Sequence, residues 1–200
     1  MSYEFGEDWF SRYIPTFQKY VAPLAGTSCA LLEIGSYEGR CTTWLADNVL
    51  THPASHLDTL DPHARETLLR NIERTKRASQ ITFHKGKSRT VLHALPLATY
   101  DFIYVDGAHG TVDVIEDAIL AFQLAKVGAV IAFDDYLWDA PPWNVYGVPK
   151  PALDAFLSIY AHPSRYRPLV EVLESGRQIW IRKLADAIEP FHVPEPRSDQ

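Results

Sequence analysis

The chain has 200 residues, a formal net charge of -6, 46% hydrophobic and 22% charged residues. That length is enough for one buried core, and five Trp with ten Tyr exclude an intrinsically disordered chain. The acidic balance gives no electrostatic footing for nucleic acid or an anionic membrane, and Cys29 with Cys41 makes no disulfide framework.

In chain order, residues 1 to 9 carry Glu4, Glu7 and Asp8 in place of the basic and apolar stretches of a signal peptide, so a cytoplasmic setting is expected. Trp9, Phe10, Tyr13, Phe17 and Tyr20 then fall on one helical face, limited by Pro15 and Pro23. That face packs on the core, covers a ligand or meets a second copy of the chain, and the spacing leaves all three open. Ala30 to Ile34 reads as a strand, Arg40 to Leu50 as a helix, His56 to Asp61 as a second strand, and the segment through Glu66, Leu68, Leu69 and Ile72 as a second helix. Ile81 to His84 is a third strand, and Ser88 is placed to cap a helix from Arg89 to Leu95.

Phe102 to Val105 forms a fourth strand, Val112 to Lys126 a helix, and Ala129 to Phe133 a fifth strand whose unbroken apolar run suits the middle of a parallel sheet. The apolar run from Ala118 to Phe133 is too short for a membrane span and is interrupted by Lys126 and Gly128. After a Pro- and Trp-rich stretch come a helix from Pro151 to Tyr160 and two strands, Arg167 to Leu173 and Gln178 to Arg182, joined in a hairpin at Ser175-Gly176. The order predicts an α/β fold: a doubly wound, mostly parallel sheet closed by an antiparallel hairpin. Residues 1–26 read as an N-terminal helical segment, 27–184 as the domain, and 185–200, with Pro190, Pro194 and Pro196, as a loose tail.

The strands end in Gly35, Asp61, Asp106 and Asp134, where open α/β sheets bind ligands. Gly35 and Gly39 suit a sharp turn and a close helix start, for a ligand or for the turn alone. A dinucleotide fingerprint would place glycines where Tyr37 and Arg40 stand, which disfavours a pyrophosphate and a nicotinamide oxidoreductase.

Glu33-Ile34-Gly35-Ser36-Tyr37-Glu38-Gly39, Asp61, Asp106-Gly107-Ala108-His109 and Asp134-Asp135-Tyr136 together resemble the motifs of class I S-adenosylmethionine-dependent methyltransferases. Within that class they are similar to the metal-dependent O-methyltransferases, including the macrolide-sugar and cephalosporin-biosynthesis-type groups. The resemblance covers roughly residues 28 to 183 and implies a seven-stranded Rossmann-like sheet. It implies that Glu33, Gly35, Ser36, Tyr37 and Gly39 form the cofactor loop, that Asp61 accepts from the ribose hydroxyls, and that Ser88 faces adenine unless it is only a helix cap. Asp106, which also borders the cofactor, would join Asp134 and Asp135 in holding magnesium, and His109 would be the catalytic base. The implied partner is a small hydroxylated acceptor: a sugar, polyketide or phenol. A binding module that keeps the pocket without transfer activity is the alternative. Tyr136, Trp138, Trp143 and Tyr146 either wall the acceptor or pack on the domain.

Overall fold

A computed structural model describes residues 2–162 and 168–187. Its seven strands are β1 (Ala30–Ile34), β2 (His56–Asp61), β3 (Ile81–Lys85), β4 (Tyr100–Val105), β5 (Ala125–Phe133), β6 (Val170–Ser175) and β7 (Ile179–Lys183). They form one sheet in the order β3-β2-β1-β4-β5-β7-β6. Pairing is parallel from β3 through β5, and β7 runs antiparallel to both β5 and β6. This is the doubly wound sheet with a closing hairpin that the sequence predicts.

Side chains alternate across each strand, so both faces of the sheet need cover. On one face, Leu32, Ile34, Ile103 and Ile131 pack with residues of α5 (Thr111–Leu124) and α6 (Pro149–Tyr160), notably Ala118, Phe122 and Phe156. On the other, Leu31, Phe102, Tyr104 and Trp180 pack against Leu45 and Val49 from α2 (Arg40–Asn48) and its end, and against the N-terminal aromatics. Phe17, on α1 (Ile14–Tyr20), is fully buried with edge contacts to Phe102, Tyr104 and Trp180 at 5.7, 5.1 and 5.0 Å. Burying one such ring is worth roughly 2–3 kcal/mol. The stripe therefore divides: Phe10 and Phe17 enter the core, Tyr13 and Tyr20 pack half-buried against it, and Trp9 stays exposed.

Several boundaries shift for physical reasons. The first aromatic helix is broken into a 3-10 turn (Ser11–Tyr13), α1 and a second 3-10 turn (Ala22–Leu24), with Pro15 and Pro23 each within the first two positions of its segment. α3 (Glu66–Arg74) stands as expected, but α4 is only Ser88–Val91 followed by a 3-10 turn, Leu92–Ala94. Lys87 holds the N-cap position, with no side-chain cap bond, so Ser88 begins the helix instead of capping it. α5 ends at Leu124 because Ala125 already pairs with Tyr100, and β5 takes in Lys126 and Gly128 through an irregularity between Tyr100 and Phe102. Strand β6 lies two or three residues later than expected and β7 one residue later; the Arg167 start and the proline-bearing tail from residue 188 lie outside the described residues. Among the described residues no helix is long and apolar enough to cross a membrane.

Candidate active site

Parallel register builds the site. Ile34 is level with Leu60 on β2 and Val105 on β4, and Val105 is level with Phe133 on β5. The next residue of each strand is therefore Asp61, Gly35, Asp106 or Asp134, four neighbours along one sheet edge. Gly35 has φ +93°, and a Cβ there would overlap the carbonyl oxygen of Asp106, so no other residue fits between these strand ends.

Two cavities open at this edge and share Gly35, Asp61 and Gly107 in their walls. The smaller, about 360 Å³, lies over Leu60, Pro62, Ser88 and Ala108. Asp61, buried, accepts from the backbone N–H of Tyr37 at 3.0 Å on Oδ2 and of His63 at 2.7 Å on Oδ1. A carboxylate has about four acceptor positions, so one on each oxygen stays free, which suits a vicinal diol.

Beneath this pocket Asp117 of α5 is 1% exposed, and its Oδ2 has no hydrogen-bond partner among the described residues. Burial, with the charges of Asp113 and Glu116 adding to it, pushes its carboxyl up to about 6.

The larger cavity, about 500 Å³, has Trp9, Tyr13, Tyr37 and Trp138 on its walls and Asp106, His109, Asp134 and Asp135 at its base. Asp135 and Tyr37 are non-glycine residues with positive φ, +57° and +46°. Such conformations cost of order 1–2 kcal/mol each, and both fall on this one cavity. Asp106, Asp135 and His109 each bring one ligand atom within 4.8 Å of the others. His109 Nε2 meets Asp135 Oδ2 at 2.7 Å, and its ring lies on Trp138 with centroids 4.7 Å apart.

Burial, followed by the charges of Asp134, Asp135 and Glu33, pushes the Asp106 carboxyl well above the usual carboxylate range. Burial likewise raises Asp134, although Tyr104 bonds it. Uncompensated negative charge is thus the electrostatic signature of this corner.

The residues named from sequence separate into groups. Gly35, Tyr37, Asp61, Asp106, His109, Asp134 and Asp135 line the larger cavity, and Ser88 lines the smaller. Glu33 lines neither: it is buried behind β1, its Oε2 accepting from Thr42 Oγ1 at 2.5 Å and Thr59 Oγ1 at 2.6 Å. Gly39 is set by helix packing, since a Cβ at its φ of +83° would stand 2.8 Å from Leu68 Cδ1. Ser36 is buried with its Oγ unpartnered among the described residues.

Asp134, the implied third metal ligand, has its carboxylate engaged by Tyr104 Oη and, at 2.7 Å, by the backbone N–H of Asp135. The three groups within reach of one ion are instead Asp106, His109 and Asp135. Of the four loop aromatics only Trp138 walls the cavity. Trp143 and Tyr146 are exposed, and Tyr136 Oη bonds Asp154 at 2.6 Å. Sequence reasoning missed Arg12 and Arg177 as wall residues, because elements remote from the motifs bring them in, and left open whether Trp9 and Tyr13 cover a ligand. Trp9 and Tyr13 at least stood in the aromatic stripe; Arg177 carried no signal.

Residues 32–136, which hold every strand end of the site, match a family model described as a methyltransferase domain. The chain belongs to this methyltransferase family. The class I resemblance read from the strand-end motifs is thereby met. No curated protein matches the chain by sequence.

Among solved structures, a Klebsiella pneumoniae protein has TM-score 0.70 at 16% identity, over 90% of this chain and 83% of that one. An O-methyltransferase from Bacillus cereus, solved with S-adenosylhomocysteine, has TM-score 0.67 at 18% identity, over 89% and 84%. The mycinamycin-pathway methyltransferase MycE, solved with magnesium and S-adenosylhomocysteine, has TM-score 0.61 at 13% identity, over 96% of this chain and 55% of that one. At these identities the likeness is one of fold.

Proposed function

We propose that this methyltransferase moves the methyl group of S-adenosylmethionine to a hydroxyl of a small acceptor, with a divalent cation assisting. The observation that carries the reading is the shared wall of Gly35, Asp61 and Gly107, which joins a pocket suited to a nucleoside to a cavity rich in carboxylates. A sulfonium methyl at that junction would face the larger cavity.

The chain's residues fit the cofactor. Asp61 keeps free acceptor positions for the ribose diol, and the absence of a Cβ at Gly35 leaves the strand end open to close approach. Ser88 borders the same pocket on the side of Leu60 and Pro62, where adenine would lie.

They also fit a divalent ion. Asp106 and Asp135 offer hard oxygen donors within reach of one ion, a set suited to magnesium or manganese with positions left over for water and acceptor oxygens, while His109 beside them stays free to act as a base. Such an ion supplies charge that lowers the acceptor hydroxyl's pKa. Asp134, tied to Tyr104 and to the backbone of Asp135, holds the strained Asp135 in place. In the tautomer that donates Nε2–H to Asp135, His109 presents Nδ1 to take the hydroxyl proton. The oxygen–methyl bond forms as the sulfur–methyl bond breaks, leaving S-adenosylhomocysteine, and Trp9, Tyr13 and Trp138 exclude water from the transfer.

Calorimetry with S-adenosylhomocysteine tests the division of labour. Asp61→Ala is expected to abolish binding, whereas Asp106→Ala keeps the affinity and loses methyl transfer. Full affinity in Asp61→Ala would refute the nucleoside assignment.

A further inference from the structure

The larger cavity holds two charges that the reaction does not use. Arg12, on the 3-10 turn before α1, and Arg177, in the turn between β6 and β7, both line it. Among the described residues neither makes an ion pair, unlike Arg40, Arg70, Arg74, Arg89 and Arg182; Arg65 and Arg77 make none either, but they do not line this cavity. Their positions are held by backbone: Tyr136 N–H donates to the Arg177 carbonyl at 2.9 Å, and the adjoining Gln178 Nε2 reaches Tyr104 Oη at 3.3 Å. Tyr13 N–H, next to Arg12, donates to the Phe10 carbonyl at 2.8 Å. Two arginines from opposite ends of the chain thus line one aromatic-walled cavity.

We infer that the acceptor is a planar hydroxylated compound bearing a carboxylate, with Arg12 and Arg177 binding that carboxylate at the cavity rim while its hydroxyl faces Asp106 and His109. This inference rests on the proposed methyl transfer and deepens it. A guanidinium presents paired N–H donors in a plane that matches a carboxylate, and both arginines are exposed enough to rotate onto a ligand. Charge does not oppose the arrangement. The four aspartates lining the cavity are set against the two arginines and, once loaded, a divalent ion and a sulfonium, so an incoming anion meets no excess negative charge. Trp9 and Trp138 offer flat apolar faces to the body of the acceptor, and a volume of about 500 Å³ suits a compound of one or two rings.

The test is calorimetry of 3,4-dihydroxybenzoate and its methyl ester against the full chain saturated with S-adenosylhomocysteine and magnesium. The acid is expected to bind about tenfold more tightly than the ester, with the difference shrinking as salt rises. Arg12→Gln and Arg177→Gln should each cut that ratio several-fold, and together bring it near one, with ester affinity unchanged. Both residues are exposed, so folding is expected to survive, and the acid-to-ester ratio is insensitive to a general loss of structure. Equal affinity for acid and ester in the wild type, or a preference that persists in the double variant, would overturn the inference. Weakened S-adenosylhomocysteine binding with an unchanged ratio would overturn it too, assigning the arginines to the cofactor. A wild type that binds no S-adenosylhomocysteine would overturn both this inference and the proposed function.

Discussion

The two cavities at the sheet edge are built on different principles. In the smaller, Asp61 is buried yet satisfied, pinned by two backbone N–H groups in an orientation that needs no ligand to hold it. In the larger, Asp106 and Asp134 are raised by burial and by the charges of neighbouring carboxylates, and Asp135 sits in a left-handed conformation. One half is therefore ready for its ligand, and the other is electrostatically incomplete until positive charge arrives. A bound cation is worth more to the second half than to the first.

The largest expected break between the halves comes from removing metal. Chelation should lower turnover by several orders of magnitude while leaving S-adenosylhomocysteine affinity within about twofold, as calorimetry and a methyl-transfer assay would show. Comparable losses in both assays would mean that the cavities are not separable.

Next is Gly35→Ala, which strikes the wall common to both. Positive φ and the overlap with the Asp106 carbonyl should destabilise the chain by at least about 3 kcal/mol in denaturant titration. Cofactor binding and turnover should fall together.

Asp117 sharpens the comparison from below the smaller pocket. Its folded carboxyl sits at about 6 against an ordinary 3.8, so the folded state holds this proton more tightly than the unfolded chain does. The stability this contributes is complete below the ordinary value and is lost as pH rises through 6. Asp117→Asn should therefore gain on the wild type between about pH 4 and pH 7, by up to about 3 kcal/mol, in unfolding curves across that range. A constant difference would mean that Asp117 titrates alike in both states.

The smallest effect is expected of Ser88→Ala, which removes one polar contact from the nucleoside side. Cofactor affinity should fall by up to about tenfold, with the acceptor KM unchanged.

How much of this was legible follows from where the information lies in the chain. Strand ends are local: an apolar run stopping at Asp61, Asp106 or Asp134 announces both the sheet and the edge, and parallel register aligns them. Glu33 and Gly39 belong to the same motif, yet they answer to packing against Thr42, Thr59 and Leu68, which only the folded chain brings near. Asp134 and Asp135 look equivalent in sequence. Tyr104 and the turn at Asp135 separate them, turning one carboxylate into a brace and leaving the other facing His109. Arg12 and Arg177 were the hardest to see, since each lies in a segment with no chemistry of its own and gains a role only where two distant turns meet.

A crystal grown with S-adenosylhomocysteine and soaked in manganese tests the two-cavity account most directly, because manganese scatters anomalously. The account predicts one anomalous peak coordinated by Asp106 and Asp135, with the ribose hydroxyls on Asp61 and the sulfur facing the larger cavity across Gly35 and Gly107. A ribose held away from Asp61, or a peak remote from Asp106 in a crystal that has taken up the ion, would contradict it.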